Sequence, residues 1–187
     1  SNLLYVTTLG VISASLGSYT LFLVGTSFAH YVCYISTYHL RHGVAFGLFK
    51  RDAVLYKGMA LSQAIWLFAQ RYDLSQPVFT PLVLMVLGYG LAVAATKALG
   101  VDRTYFGWEL GAITGKYVEA WPYGIIPHPM IVGGITAWIG FHALQAFRDD
   151  YPYYVPLHVA CYLTHCIQEH LAIYSTGLIK DAGKDAT

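Results

Sequence analysis

No Asp, Glu, Lys or Arg occurs before Arg41. A water-soluble domain covers its surface with polar groups and cannot leave forty residues uncharged. A bilayer core, in contrast, takes about 20 apolar residues per helix. The opening run therefore predicts a first membrane span within residues 3 to about 27, and the stretch to His39 either extends that helix or lies at the interface. With no charged n-region or cleavage signal, an uncleaved span is expected rather than a signal peptide.

Four more apolar stretches follow, over about residues 53–69, 77–99, 129–147 and 153–176. The second contains Lys57, which can snorkel from one end; the third opens on Pro77, which suits a helix start. Charged residues make up only 11% of the 187, against roughly 25% in an average soluble domain. The expected fold is an all-α, polytopic membrane helical bundle of about five transmembrane helices, one domain over residues 1–187 without internal repeats. Five spans put Arg41, Lys50, Arg51, Lys57, Lys97, Arg103, Lys116, Lys180 and Lys184 on one side and only Arg71 and Arg148 on the other. Nine against two predicts that the basic side faces the cytosol or an organelle matrix. The membrane is then that of the endoplasmic reticulum or an organelle's inner membrane.

A formal net charge of +1 gives no footing for nucleic-acid binding. Cys33, Cys161 and Cys166 form no C-x-x-C pair, so neither a disulfide framework nor a cysteine zinc site is expected.

Chemistry concentrates in the C-terminal half. Glu169 is the only carboxylate inside an expected span, where a charge is costly and usually faces a cavity or partner. It either bonds a neighbouring helix for packing or serves a site. His158, Tyr162, His165 and Glu169 share a helix face, and His170 adjoins them. Pro122, Pro127 and Pro129 stop a regular helix from starting before Pro129. His128 is then held at a helix N-terminus, either as a simple cap and turn or beside free N–H groups suited to an anion. Gly107, Gly111 and Gly115 recur every four residues, a stripe for close helix packing or for ligand contact. Gly88-Tyr89-Gly90 opens space beside a backbone. Taken together, these elements predict a pocket with aromatic walls, one imidazole and one buried acid. Such a pocket suits a cationic group such as a sulfonium or a choline-like ammonium.

At these residues, over about 88–170, the chain resembles the integral-membrane phospholipid N-methyltransferases and, more distantly, the isoprenylcysteine carboxyl methyltransferases. The matching pieces are Gly88-Tyr89-Gly90, Tyr105-Phe106-Gly107, Pro122-Tyr123-Gly124, His128-Pro129-Met130-Ile131-Val132-Gly133 and Glu169-His170. The chain departs from the family pattern at Pro127 (Arg), Ile131 (Tyr) and His170 (a second carboxylate). The resemblance implies S-adenosylmethionine as methyl donor. It places Gly88, Gly90, Tyr105, Gly107, Tyr123, Gly124, His128, Pro129, Gly133, Glu169 and His170 beside the donor. It makes an ethanolamine phospholipid the substrate. Glu169 is the expected base or electrostatic support of the cationic centre, with His128 or His170 relaying the proton. Arg103, Lys116 and the tail lysines are expected to attract the lipid phosphate. No metal is expected.

Two other readings stand beside this one. The departures fit a catalytically degenerate accessory subunit with partners in a larger membrane complex. Eight His residues fit, less well, a membrane metal or haem protein; His30, His142 and His158 are expected instead to be hydrogen-bonded core residues. A transporter has little support, with one buried charge and no repeat.

Overall fold

A computed structural model describes residues 2–40, 43–71, 73, 75, 77–115 and 118–175. Arg41, Lys116, Lys180 and Lys184 of the basic set, and Thr176 at the end of the last apolar stretch, lie outside the described residues. Within them the chain is helix and turn, with no strand. The helices are α1 (Asn2–Ser15), α2 (Tyr19–Thr26), α3 (Ala29–His39), α4 (Phe46–Arg71), α5 (Phe79–Leu99), the single turn α6 (Val101–Thr104), α7 (Pro129–Ala143) and α8 (Tyr154–Ser175). A π-helical turn, Ala146–Asp150, joins α7 to α8.

The opening run is not the single helix expected over residues 3–27. Gly17 adopts φ 61°, a left-handed conformation that glycine enters freely, and it ends α1. Ser18 then caps α2, its Oγ accepting from the Leu21 N–H at 3.2 Å. The chain folds back: the Tyr5 hydroxyl donates to the Gly25 carbonyl at 2.7 Å, and the Leu9 side chain lies against Gly25. An apolar composition carries no information about this break; the Gly-Ser pair does. A milder interruption follows between α2 and α3. There the Thr26 and Ser27 hydroxyls bond back to carbonyls of the preceding turn, a pattern that bends helices.

Among the described residues, α5 is the one helix both long and apolar enough to cross a bilayer: it has 21 residues, with a mean hydropathy of 1.9 over its most apolar 18. It packs antiparallel on α7 at backbone contact. A Cβ on Gly88 would stand 2.4 Å from the Ala137 nitrogen, and one on Gly133 would stand 2.5 Å from the Gly88 carbonyl oxygen. These glycines let two helices approach as closely as their main chains permit.

Where α7 ends and α8 begins, the interior is filled. Ala64 and Leu67 of α4 meet Trp138, Phe141, Phe147, Tyr154 and Val155. His158 is fully buried beside them, its ring stacked between Phe28 at 4.2 Å and Trp138 at 3.9 Å. Its Nδ1 lies 3.0 Å from the Tyr31 hydroxyl and its Nε2 3.3 Å from the Ser27 hydroxyl. His30 is also buried, with Nδ1 3.0 Å from the Ser27 carbonyl. His142 departs from the expectation set for these three: its Nδ1 is buried with no hydrogen-bond partner among the described residues. At the opposite end, Cys33, Tyr34, Phe49, Ala53 and Phe106 form a second, aromatic cluster, and a cavity opens beside it.

Candidate active site

The cavity lies where α5 and α8 end and α7 begins. Its volume is about 670 Å³, in the range of small-molecule sites. Glu169 sits on its wall. The carboxylate is gripped from two sides: His165 Nε2, one helical turn earlier, is 3.0 Å from Oε1, and His128 Nδ1, from the start of α7, is 3.3 Å from Oε2. An ionised carboxylate only accepts, so the proton sits on each of these nitrogens. In a neutral ring the far nitrogen is then a lone-pair acceptor.

Local structure explains how His128 gets there. Proline on both sides keeps residues 127–129 from continuing a helix backwards. His128 takes φ 48°, ψ 51° at the cap of α7, a left-handed conformation costing a non-glycine residue roughly 1–2 kcal/mol. Strain of this kind gathers at functional sites; here it aims the imidazole at Glu169. The His170 ring lies 5.8 Å from the His128 ring.

Residues 77–172 match the model of the phospholipid methyltransferase family, just over half of the chain. The chain belongs to that family. Membership implies a methyl donor, a phospholipid substrate and association with membranes. The matched segment holds α5, α7, most of α8 and the whole His128–Glu169–His165 cluster. No curated protein and no solved structure matches the chain significantly.

Of the residues expected beside the donor, Tyr105, Tyr123, His128, Glu169 and His170 line this cavity. The family's glycines mostly do not. Gly88 and Gly133 are occupied in the contact between α5 and α7, while Gly90 faces open space. Gly107 and Gly124 stand where a Cβ would strike the carbonyl oxygens of Asp102 and Glu119, each at 2.5 Å; their place is in tight turns. Pro129 is fully buried in the first turn of α7. The expected Gly107-Gly111-Gly115 helix stripe does not form, because residues 105–115 are turn, bend and irregular chain and Gly111 takes φ 72°.

Tyr105 and Tyr123 face the cavity as neutral phenols. Burial raises both above the usual phenol range, Tyr123 to about 12 with the Glu169 charge as a second cause. The segment carrying Tyr105 is pinned to α4 by a Lys50–Asp102 ion pair at 2.6 Å.

Six lining residues come from α3 and α4, outside the matched segment, among them Tyr34 and Lys57. Tyr34 of α3 is buried, and its hydroxyl has no hydrogen-bond partner among the described residues. Lys57 of α4 does not snorkel to an end. It is the twelfth residue of a 26-residue helix, about 16 Å from the start at 1.5 Å per residue, and its Nζ stands over the rings of Tyr34 and Tyr105. The available signal was Lys57 itself, a single cation deep in an apolar stretch, which is expensive unless it is used.

Proposed function

We propose that this chain transfers a methyl group from S-adenosylmethionine to the amine of an ethanolamine phospholipid within a membrane. The observation that carries this reading is the Glu169 carboxylate, held between two imidazoles on the wall of an aromatic-lined cavity. The donor set fits a sulfonium: Tyr89, Trp108 and Tyr123 line the cavity with aromatic rings, which attract cations, and Glu169 offers the balancing charge. S-adenosylmethionine, when bound, supplies an electrophilic methyl group.

The chain's residues do the rest. The attacking amine must be neutral, so a proton has to leave the headgroup. Both Glu169 oxygens already accept an N–H, which favours a fixed anion over a proton carrier. By accepting from Nδ1, Glu169 sets the His128 tautomer and leaves Nε2 free to take the amine proton, and it then stabilises the imidazolium. This is the division of labour found in carboxylate–histidine pairs of hydrolases. His170, beside His128, passes the proton outward.

For the membrane, the supporting observation is the apolar exterior. Leu82, Val86 and Leu87 of α5 and Leu163, Ile167 and Leu171 of α8 are exposed, where lipid would cover them. The five spans we assign are residues 19–39, α4, α5, residues 129–150 and α8, with α1 folded back on the first. The basic end, with the cavity, faces the cytosol or a matrix in the endoplasmic reticulum or an organelle's inner membrane.

Purified protein incubated with labelled methyl donor and membrane lipids should give label in methylated ethanolamine lipids. Absence of labelled lipid overturns the reading. Pro127, Ile131 and His170 favour a second reading, a degenerate subunit of a membrane complex; Pro127, Ile131 and His170 all line the cavity. Thermal stabilisation separates the two. A donor at about 100 times its Kd adds about 2.7 kcal/mol to a binding protein and nothing to a degenerate one.

A further inference from the structure

We propose that Lys57 is the anion-binding residue of the cavity and holds the phosphodiester of a zwitterionic phospholipid headgroup. The inference rests on the headgroup reading above and names the residue that grips its other charge. Lys57 Nζ lies 4.7 Å from the centroid of the Tyr34 ring and 5.0 Å from that of Tyr105. It makes no hydrogen bond or ion pair with a described residue. Ring faces attract an ammonium but do not replace the hydration it gives up at this depth. The acid whose charge reaches Lys57, Glu169, is already bonded to His128 and His165, so the ammonium has two ring faces and no carboxylate bonded to it.

Other cations are placed differently. Lys50 is bonded to Asp102, Arg51 to Asp52 and Arg148 to Asp149. Lys97 and Arg103 also line the cavity, but they sit in the last turn of α5 and in α6, at the mouth. Only Lys57 comes from within a long helix, on α4, and Glu169 stands on α8 in the same cavity. Lys57 and Glu169 thus place opposite charges on two separate long helices, with Lys97, Arg103 and Glu109 also on the lining, an arrangement that a phosphate-and-amine headgroup complements. Lys57 lies outside the segment 77–172 that matches the family, and separate lipid and donor measurements distinguish the lipid phosphate from the donor's carboxylate.

The test is binding without any methyl donor, on the full chain in detergent micelles. Dioctanoyl phosphatidylethanolamine is titrated against tryptophan fluorescence, with dioctanoylglycerol, which lacks the phosphate, as the control probe. Lys57→Met and Lys57→Gln are read in parallel, each checked for helical content and thermal midpoint, so that one folded neutral variant suffices. The expected result is a tenfold or greater loss of phosphatidylethanolamine affinity in the neutral variants. Lys57→Arg should stay within threefold of the wild type, and the dioctanoylglycerol response should not change. S-adenosylmethionine affinity, measured separately by thermal shift, should stay within twofold. Unchanged lipid affinity in a folded neutral variant overturns the proposal. So does a loss confined to S-adenosylmethionine, which would assign Lys57 to the donor's carboxylate. A wild type that binds the lipid through Lys57 yet methylates nothing would end the catalytic reading and leave this one standing.

Discussion

Helix α8 carries His158 near its start and His165 at mid-length, and the surroundings of the two are opposite. His158 has a partner on each ring nitrogen and an aromatic ring on each face. His165 has one nitrogen on Glu169 and the other, Nδ1, without a partner among the described residues, and it borders a cavity. A buried polar network with its bonds complete rigidifies a fold. One with atoms left over beside a hollow invites a ligand. The same helix thus carries scaffold near its start and a site farther along, and residue type alone does not tell the two apart.

Mutations at the filled end should affect stability and spare chemistry. Trp138→Ala removes one face of the His158 stack and opens a void, and about 3–5 kcal/mol of stability should go with it. Denaturation in micelles measures this loss. At temperatures where the variant remains folded, its KM for lipid should match the wild type. A raised KM with little loss of stability would mean that the two ends are not separate.

The opposite outcome is expected at the open end. Glu169→Gln keeps the shape but removes the anion, and it leaves an amide facing two N–H donors. Methylation of ethanolamine lipid should fall about 100- to 1,000-fold, while the thermal midpoint of the ligand-free protein moves far less than in Trp138→Ala. Unchanged turnover would remove Glu169 from the chemistry.

How much of this was legible beforehand follows from the range of the interactions. Helices α5 and α8 were expected over residues 77–99 and 153–176 and lie at Phe79–Leu99 and Tyr154–Ser175, because apolar length is a local property. The start of α4 was placed too late, at about 53 instead of 46. Lys50, Arg51 and Asp52 ended the apolar run without ending the helix. The face shared by His165 and Glu169 was readable from helical spacing, and His128 from its flanking prolines. Lys57 was misread because the rings that hold it, Tyr34 and Tyr105, lie far away in sequence. The glycines were misjudged because close packing and ligand contact ask for the same residue.

That ambiguity can be tested within one tripeptide. Gly88→Ala drives a Cβ into the α7 backbone, 2.4 Å from the Ala137 nitrogen, and should cost about 1–3 kcal/mol as α5 and α7 separate. Gly90→Ala meets nothing within 4 Å. It should leave stability unchanged or raise it by roughly 0.5–1 kcal/mol through helix propensity. Equal destabilisation by the two would refute the assignment of Gly88 to packing. Loss of donor binding in a stable Gly90→Ala would place the donor against α5 at that turn.

A last expected effect concerns His128, which belongs to both sides of the comparison: its ring lines the cavity while its backbone is strained. Neither His128→Ala nor His128→Gly can bond Glu169, so both should lose the same large share of activity. They differ in the backbone. At φ 48° alanine keeps the left-handed penalty and glycine does not, so the glycine variant should be the more stable by about 1–2 kcal/mol. Because the two variants share every other loss, their difference in unfolding free energy isolates the strain from the missing hydrogen bond. Equal stability would mean that residue 128 relaxes to an ordinary conformation once its imidazole no longer reaches across to α8, and that the strain is imposed by Glu169 rather than by the flanking prolines.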